Sequence, residues 1–192
     1  VTDPTGLSDE IVVTVEVSNI NDAPFFSTQN TVSVSENQVS VVDVNVSDAD
    51  LWDIHTFSLS KSEFDGAFFD INATTGVLAF ITPPNFESNS SVNGNNLFTV
   101  KILVTDNTVE AIPVEELIQV TVRDANDAPI FSSHNGNSSV FSVVPENQLF
   151  AADLNATDED GNVLTYSLGG SDKDFFEINA TGSLSFIDSP DY

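Results

Sequence analysis

The stretch Asp124-Ala125-Asn126-Asp127-Ala128-Pro129 decides how this chain of 192 residues is organised. Its last four residues, Asn-Asp-Ala-Pro, also occur at 21–24, which is 105 residues earlier. Proline has no backbone N–H with which to continue a ladder, so a strand is predicted to end before each copy. A motif that repeats at the length of an ordinary domain predicts a boundary between tandem domains.

Other motifs repeat in the same order along the chain. Glu-Asn-Gln occurs at 36–38 and 146–148, and Asp-x-Asp occurs at 48–50 and 158–160, each pair 110 residues apart. We therefore predict three segments. Residues 1–24 are the C-terminal end of a preceding repeat, 25–129 are one complete repeat, and 130–192 are the first two thirds of a following repeat. The chain is accordingly expected to be a piece of a longer protein.

Each repeat is predicted to be all-β. The segments 42–46, 97–104 and 117–122 alternate apolar and polar residues or are rich in β-branched residues, and Ile11–Val17 also resembles a strand. Clusters of turn residues separate these segments. The expected fold is a tandem array of seven-stranded Greek-key, Ig-like β-sandwiches. The phenylalanines expected in the cores are Phe25, Phe57, Phe69, Phe80, Phe98, Phe176 and Phe186.

The composition excludes several classes of partner. Thirty Asp and Glu against four Lys and Arg give a formal net charge of −26, which argues against nucleic acid and against anionic membranes. No apolar run reaches the roughly 18 residues of a membrane span, so direct membrane insertion of this segment is not expected. Without cysteine there is neither a disulfide framework nor a thiolate metal site. The acidity fits either solubility or divalent cation sites.

The position of the acids favours cation sites. They recur at predicted strand ends, where side chains of a short extended linker can converge on one ion. Asp48 and Asp50, at i and i+2, lie on the same side of an extended chain. Two such carboxylates repel each other unless a cation sits between them. Hard cations such as calcium take carboxylate and carbonyl oxygens.

The ordered motifs resemble the cadherin repeat. They are Ser35-Glu36-Asn37 and Pro145-Glu146-Asn147, the two Asp-x-Asp elements, Val104-Thr105-Asp106 and the linker 124–129. The Asn-Asp-Ala-Pro form of the linker is similar to that of cadherin-like domains in large bacterial surface proteins. The resemblance implies an extracellular or cell-surface, membrane-associated array that binds Ca²⁺ between consecutive repeats and is not an enzyme.

The resemblance also implies which residues hold the calcium. Asn85 stands where an Asp is expected and Asn19 replaces the first Asp of the first linker, and both changes should weaken binding. The tryptophan of strand-swap adhesion has no counterpart, since Trp52 lies just after Asp48-Ala49-Asp50. The implied ligands of the second junction are Glu36, Asn85, Glu87, Asp124, Asn126, Asp127, Asp158 and Asp160, and those of the first junction are Asn21, Asp22, Asp48, Asp50 and Asp106.

Three functions remain open at this point. The first is adhesion, homophilic or otherwise, or a calcium-rigidified stalk, with neighbouring repeats of the same protein and other cell-surface proteins as partners. The second is a calcium-dependent polysaccharide-binding module. The third is a metal-independent Ig- or Fn3-like spacer attached to an enzyme. Catalysis by the paired carboxylates is not expected in exposed turns, and His55 and His134 are expected to be surface residues without zinc-site spacing.

Overall fold

The computed structural model of the protein describes residues 1–107, 111, 113–133 and 139–191. These residues form two compact units. The first consists of Val1–Ser33, Val39–Thr82 and Leu97–Thr121, and the second of Val34–Gln38, Pro83–Asn96 and Val122–Tyr192. These units are made of several separate segments and do not coincide with the predicted repeats, which are continuous stretches of sequence. The repeat boundaries at 24/25 and 129/130 stay a prediction.

Regular structure in the described residues is almost entirely β. Two short 3-10 helices cover Gly66–Phe68 and Lys173–Phe175. The strands are β1 (Phe25–Phe26), β2 (Thr31–Ser35), β3 (Ser40–Asp43), β4 (Val46–Ser47), β5 (Thr56–Leu59), β6 (Phe69–Ile71), β7 (Val77–Phe80), β8 (Leu97–Thr105), β9 (Val114–Arg123), β10 (Ile130–Phe131), β11 (Phe150–Asp153), β12 (Ala156–Thr157), β13 (Phe176–Ile178) and β14 (Ser183–Phe186).

Two antiparallel sheets surround the core of the first unit. One has the order β2-β9-β8-β5 and the other the order β3-β7-β6, while β1 and β4 form a separate pair. Aromatic rings join the two sheets. Phe98 on β8 makes edge-to-face contacts with Phe69 on β6 and Phe80 on β7, at centroid distances of 5.9 and 5.2 Å. The predicted all-β sandwich is confirmed.

Strand β8 shows why this sequence forms a sandwich. Its buried and half-buried residues alternate over all nine positions, as expected when one face of a strand packs on the core. Phe98, Val100, Ile102 and Val104 point inward and are at most 1% exposed. Three of these four residues are β-branched, which suits a pleated and half-buried surface.

The same asparagine turn occurs in both units. In the first unit, the side-chain carbonyl of Asn72 accepts hydrogen bonds from the backbone N–H groups of Thr74 and Thr75. In the second unit, Asn179 accepts from Thr181 and Ser183 in the same manner. The turns contain Gly76 and Gly182, at φ of 72° and 84°, and a Cβ at either position would clash with a backbone carbonyl. The Asn-Ala-Thr motif is therefore a turn signal.

Two details of the predicted fold are wrong. Ile11–Val17 forms no strand, and its valines are 72–92% exposed, because no other strand of the described residues pairs with this segment and a lone strand is unstable in water. Phe25 is 61% exposed, whereas Phe57, Phe69, Phe80 and Phe98 are buried as predicted. Phe176 and Phe186 are half-buried and contact each other at a centroid distance of 4.6 Å.

A small truncation tests the sandwich core. Ile102→Val deletes one buried methyl group at a site that is 0% exposed, and we expect it to lower the free energy of unfolding by about 1 kcal/mol. Leu117→Ala, on the neighbouring strand but 42% exposed, is the control and should cost less despite its larger change in volume. Urea unfolding of both variants measures the difference, and an equal or larger loss for Leu117→Ala would contradict the assigned core.

Candidate metal centres

Three carboxylates converge in the second unit. Glu36, Glu87 and Asp124 each place an oxygen within 4.8 Å of the other two. Glu36 is only 3% exposed, and two backbone N–H groups hold its carboxylate. Phe86 donates to Oε2 at 2.7 Å and Ala125 donates to Oε1 at 2.9 Å. Glu36 directly follows β2, so its carboxylate connects the end of β2 to the segment after Pro84 and to the linker.

A second group of acids overlaps the first. Glu87, Asp127 and Glu159 also lie within 4.8 Å of one another. Oε2 of Glu87 and Oδ2 of Asp127 are buried and have no hydrogen-bond partner among the described residues. A buried anionic oxygen without a partner is costly in a protein. A cation between the two oxygens would remove that cost. We refer to Glu36, Glu87, Asp124, Asp127 and Glu159 as the second cluster.

Polar contacts draw residues from both sides of the predicted repeat boundary into the second cluster. The backbone N–H of Asp127 donates to Oδ2 of Asp160 at 2.6 Å, and the side chain of Asn37 donates to Asp127 at 2.8 Å. Asn85 donates to the carboxylate of Glu159. Three parts of the chain therefore meet at this cluster. They are the linker 124–129, the segment that contains Asn85 and Glu87, and the Asp-x-Asp element 158–160.

Asn126 and Asp158 lie next to these contacts. Asn162 joins them, since its side-chain amide donates to Oδ1 of Asn126 at 2.9 Å and its backbone N–H donates to Oδ1 of Asp158 at 3.2 Å. Of the predicted ligands of the second junction, Glu36, Glu87, Asp124 and Asp127 thus meet in the acid groups. Asn85, Asn126, Asp158 and Asp160 lie around them through hydrogen bonds.

The electrostatics of the second cluster oppose its full ionisation. The backbone N–H of Glu87 lowers the pKa of its own carboxyl, but burial and the charges of Glu36, Asp160 and Asp124 outweigh that bond and raise the pKa. Burial is the main cause of the raised pKa of Asp124 and of Asp127. Neighbouring carboxylates add to both shifts, against a hydrogen bond from Asn37 that lowers the pKa of Asp127.

A second centre lies in the first unit. Asp48, Asp53 and Asp106 place oxygens within 4.8 Å of one another, and we call these three residues the first cluster. The side chain of Asp48 is 3% exposed, and Oδ2 of Asp53 is buried without a hydrogen-bond partner in the described part of the chain. The backbone N–H of Asp50, followed by His55, lowers the pKa of Asp48, whereas burial, followed by the charge of Asp50, raises that of Asp53.

The first linker contacts the first cluster and its neighbour. Asn21 donates from its side chain to Oδ2 of Asp106 at 2.9 Å, and the backbone N–H of Asp22 donates to Oδ2 of Asp50 at 2.7 Å. The latter contact repeats the bond between Asp127 and Asp160 in the second unit. All five predicted residues of the first junction therefore lie together, although only Asp48 and Asp106 belong to the acid group.

Sequence reasoning missed two acids and misjudged one histidine. Asp53 and Glu159 belong to the acid groups, and neither stands at a motif position, since Glu159 is the central residue of its Asp-x-Asp element. His55 is not a surface residue. Its side chain is 19% exposed and its Nε2 lies 3.1 Å from Oδ2 of Asp48. His134 lies outside the described residues.

The raised pKa values predict how stability without metal depends on pH. The carboxyls of Glu87, Asp124, Asp127 and Asp53 keep protons more readily when folded. Their contribution is fully present below the ordinary pKa of about 4 and is lost as pH rises through the folded values. Asp3, Asp48 and Glu63 have lowered pKa values and act oppositely, losing their contribution as pH falls through their folded values. In metal-free buffer, the melting temperature should therefore rise as pH falls from 7 to about 5.

A charge-neutral variant checks the cause of this trend. Glu87→Gln removes one of the repelling charges, so we expect a higher metal-free melting temperature at pH 7 and a shallower dependence on pH. Glu10→Gln, at an exposed position outside both clusters, should leave the trend unchanged. A metal-free melting temperature that is flat or that falls between pH 7 and 5 would contradict the assignment.

The comparisons with known proteins agree with this architecture. No family model matches the chain. Human Protocadherin-23 is 30% identical over 190 residues, which are 96% of this chain. The chain spans only 5% of the length of that relative. The bacterial-type qualifier of the resemblance stays a prediction, and the relative named here is a human protein.

Two solved structures show the same fold. Protocadherin Gamma B2 extracellular cadherin domains 3-6 superpose with a TM-score of 0.51 at 22% identity, over 94% of this chain and 47% of that one. Form II of human Protocadherin-24 EC1-2 gives a TM-score of 0.50 at 24% identity, over 88% of this chain and 81% of that one. At such identities the superpositions show the fold alone.

These comparisons define the class of protein. The chain is cadherin-like, as its ordered motifs predict, and it is similar to a protocadherin over 96% of its length. The predicted extracellular or cell-surface location is confirmed on the same basis. Among the described residues, no helix has the length and apolar character needed to cross a bilayer.

Proposed function

We propose that this chain binds calcium at both clusters and acts in adhesion or as a calcium-rigidified stalk of a surface protein. The observation that carries the proposal is the pair of buried oxygens in the second cluster, Oε2 of Glu87 and Oδ2 of Asp127, which have no hydrogen-bond partner among the described residues. Other carboxylates surround these two oxygens. The hydrogen-bond donors of the protein pair with only some of the carboxylate oxygens in this group.

The donor set fits calcium better than the other common ions. Calcium takes about six to eight oxygen ligands in flexible geometry, including carboxylates, amide oxygens and backbone carbonyls. The second cluster offers five carboxylates. Magnesium demands an octahedral shell and keeps its waters, and zinc prefers nitrogen and sulfur. An all-oxygen group of this size therefore favours calcium.

Bound calcium would supply a positive charge that the oxygen atoms of the protein coordinate. The position of these oxygens in the chain determines which segments the ion would hold together. Glu36 already joins the linker to the segment after Pro84, and Asp160 joins the linker to the following Asp-x-Asp element. Repulsion between the carboxylates opposes this arrangement in the absence of metal. Neutralising that repulsion would stiffen the connection between consecutive repeats, which a projecting stalk or adhesin requires.

Terbium luminescence and solution scattering together test this proposal. Trp52 is the only tryptophan of the chain and precedes Asp53 in sequence, so energy transfer from it to bound Tb³⁺ should report the first cluster. Excess calcium should quench that emission, Asp53→Asn should weaken it, and Trp52→Phe should abolish it without changing the calcium-induced gain in melting temperature. X-ray scattering should show a stiffer particle in millimolar calcium than in EGTA.

The open alternatives correspond to different outcomes of the same experiments. A metal-independent spacer shows neither sensitised emission nor any change of melting temperature or scattering with calcium. A polysaccharide-binding module shows calcium-dependent retention on an insoluble polymer with no change in scattering. Adhesion through a second cell-surface protein remains part of the proposal, and bead aggregation in calcium, reversed by EGTA, tests whether the contact is homophilic.

A further inference from the structure

Two Asn-x-Ser/Thr triplets stand at the same place in the two predicted repeats. Asn45-Val46-Ser47 and Asn155-Ala156-Thr157 are 110 residues apart, and an Asp-x-Asp element follows each of them directly. The middle residue differs between the copies and is not proline in either. The asparagine and the hydroxyl residue two places later are thus the features that both copies keep. They are also the two features that an acceptor of N-linked carbohydrate requires.

We infer that Asn45 and Asn155 are N-glycosylation sites, so that each carries one oligosaccharide. The inference builds on the extracellular location of the chain, because such sites are used on secreted proteins. In the transfer, Nδ2 of the asparagine bonds to the anomeric carbon of a lipid pyrophosphate-linked oligosaccharide. The bond from that carbon to the pyrophosphate oxygen breaks, the lipid pyrophosphate leaves, and Nδ2 gives up one proton. No oxidant or reductant is needed.

The backbone around both asparagines places the acceptor atoms in solvent. Burial alternates along 153–157, where the asparagine and the threonine are exposed and the alanine between them is half-buried. The same alternation occurs along 43–47. Residues i and i+2 of an extended chain point to the same side, so the amide and the hydroxyl of each triplet share one exposed face. A sugar on Nδ2 can therefore project into solvent without displacing a packed side chain.

The side chains of these asparagines do little for the fold itself. Asn155 makes no side-chain hydrogen bond within the described part of the chain, and Asn45 donates only to the nearby carbonyl of Asp43, at 3.0 Å. Asn72 and Asn179 also stand in Asn-x-Thr triplets, but their side-chain carbonyls close a turn. A turn explains the triplets at Asn72 and Asn179 and leaves those at Asn45 and Asn155 without a structural explanation.

A carbohydrate at these positions would cover an exposed edge of each unit. The backbone carbonyls of Asn45 and Asn155 accept hydrogen bonds from the N–H groups of Ser27 and Ser132, at 2.9 and 2.8 Å. Each asparagine therefore lies beside the short strand that follows a linker, β1 or β10. Both strands belong to two-stranded pairs, and the first residue of each is apolar and 61% exposed. Exposed strand edges and apolar side chains favour association with other chains, which a bulky and solubilising sugar would oppose.

Secretion of the whole chain from eukaryotic cells, followed by mass spectrometry, tests the inference. Release of the sugars by a glycoamidase in ¹⁸O-labelled water should leave labelled aspartate at positions 45 and 155. Asn155→Gln and Thr157→Ala should each remove one oligosaccharide from the intact mass, since they delete the acceptor nitrogen and the required hydroxyl. Asn30→Gln is the matched control. Asn30 is exposed and has its hydroxyl residue, Thr31, one place too early, so this variant should leave the carbohydrate content unchanged.

Sedimentation velocity reads the covering role separately. Removing the sugars should increase self-association at equal protein concentration, and Thr157→Ala, which lacks one sugar without gaining the charge of aspartate, should do so too. Unchanged association after removal would overturn the covering role. Unlabelled asparagine at 45 and 155 would overturn the sites themselves, and this measurement on the wild-type chain needs no variant to fold. Since none of these measurements depends on calcium, the calcium proposal stands or fails on its own experiments.

Discussion

Removing calcium with EGTA is expected to lower the melting temperature of this chain by about 10–20 °C. A ligand at about 100 times its Kd stabilises the folded state by about 2.7 kcal/mol per site. Two clusters in about 10 mM calcium, with a Kd near 0.1 mM as in extracellular calcium modules, together contribute about 5 kcal/mol. For a chain of this size, each kcal/mol moves the melting temperature by about 2–4 °C.

Differential scanning calorimetry with calcium, with EGTA and with an equal concentration of magnesium measures this effect. Magnesium should restore only a small part of the loss, because it needs an octahedral shell and dehydrates reluctantly. The pH trend should also reverse between conditions. With calcium bound, protons compete for the same carboxylates, so the melting temperature should fall from pH 7 to 5 where the metal-free value rises. Identical melting curves with calcium and with EGTA would refute calcium binding at both clusters.

Replacing Glu36 by alanine is the second large effect. Its carboxylate accepts from the backbone N–H groups of Phe86 and Ala125 at 2.7 and 2.9 Å, and the residue is 3% exposed. Losing both acceptors leaves two partly buried donors without partners. We expect the free energy of unfolding to fall by about 2–4 kcal/mol without metal, and the calcium-induced gain of the second cluster to disappear. Urea unfolding with calcium and with EGTA measures both losses.

Two further variants separate the roles of Glu36. Glu36→Gln keeps one of the two acceptor oxygens and removes the charge that repels Glu87 and Asp124, so without calcium it should cost less stability than Glu36→Ala, yet it should still reduce the response to calcium. Glu146 stands at the same motif position of the next repeat but is exposed, so Glu146→Ala should change stability by much less. If Glu36→Ala and Glu146→Ala behave alike, the buried carboxylate has no special role.

Much of the fold was predictable because its signals are local. The alternation in β8, the turn motif around Asn72 and the proline that follows the linker each act through the residue itself or its immediate neighbours. Pairing is not local, and the two wrong predictions concern pairing. Ile11–Val17 has the composition of a strand and no partner strand in the described residues, and Phe25 lies on a two-residue strand outside the main sheets.

The candidate sites, like the fold, could be predicted only in part. Motif order and the resemblance pointed to Glu36, Glu87, Asp124 and Asp127 at one junction and to Asp48 and Asp106 at the other. In the structure, Glu36, Glu87 and Asp124 lie within 4.8 Å of one another, as do Glu87 and Asp127, and as do Asp48 and Asp106. Asp53 and Glu159 were missed because no motif marks them. They join the clusters through the path of the loop after Asp50 and through a contact with Asn85 across 74 residues of sequence.

The sequence by itself determined the all-β character of the chain and the placing of acids at motif positions near strand ends, and it predicts repeats about 105 residues long. This follows from periodicity, from proline and glycine at turns, and from the fixed order of the Asp-containing motifs. Tertiary structure alone decided which of those acids meet, which oxygens are buried without a partner, and that the linker residues after Arg123 share a site with Glu36. It alone placed His55 against Asp48. The physical reason is that charge repulsion, burial and coordination depend on distances between atoms far apart in the chain, which no local pattern specifies.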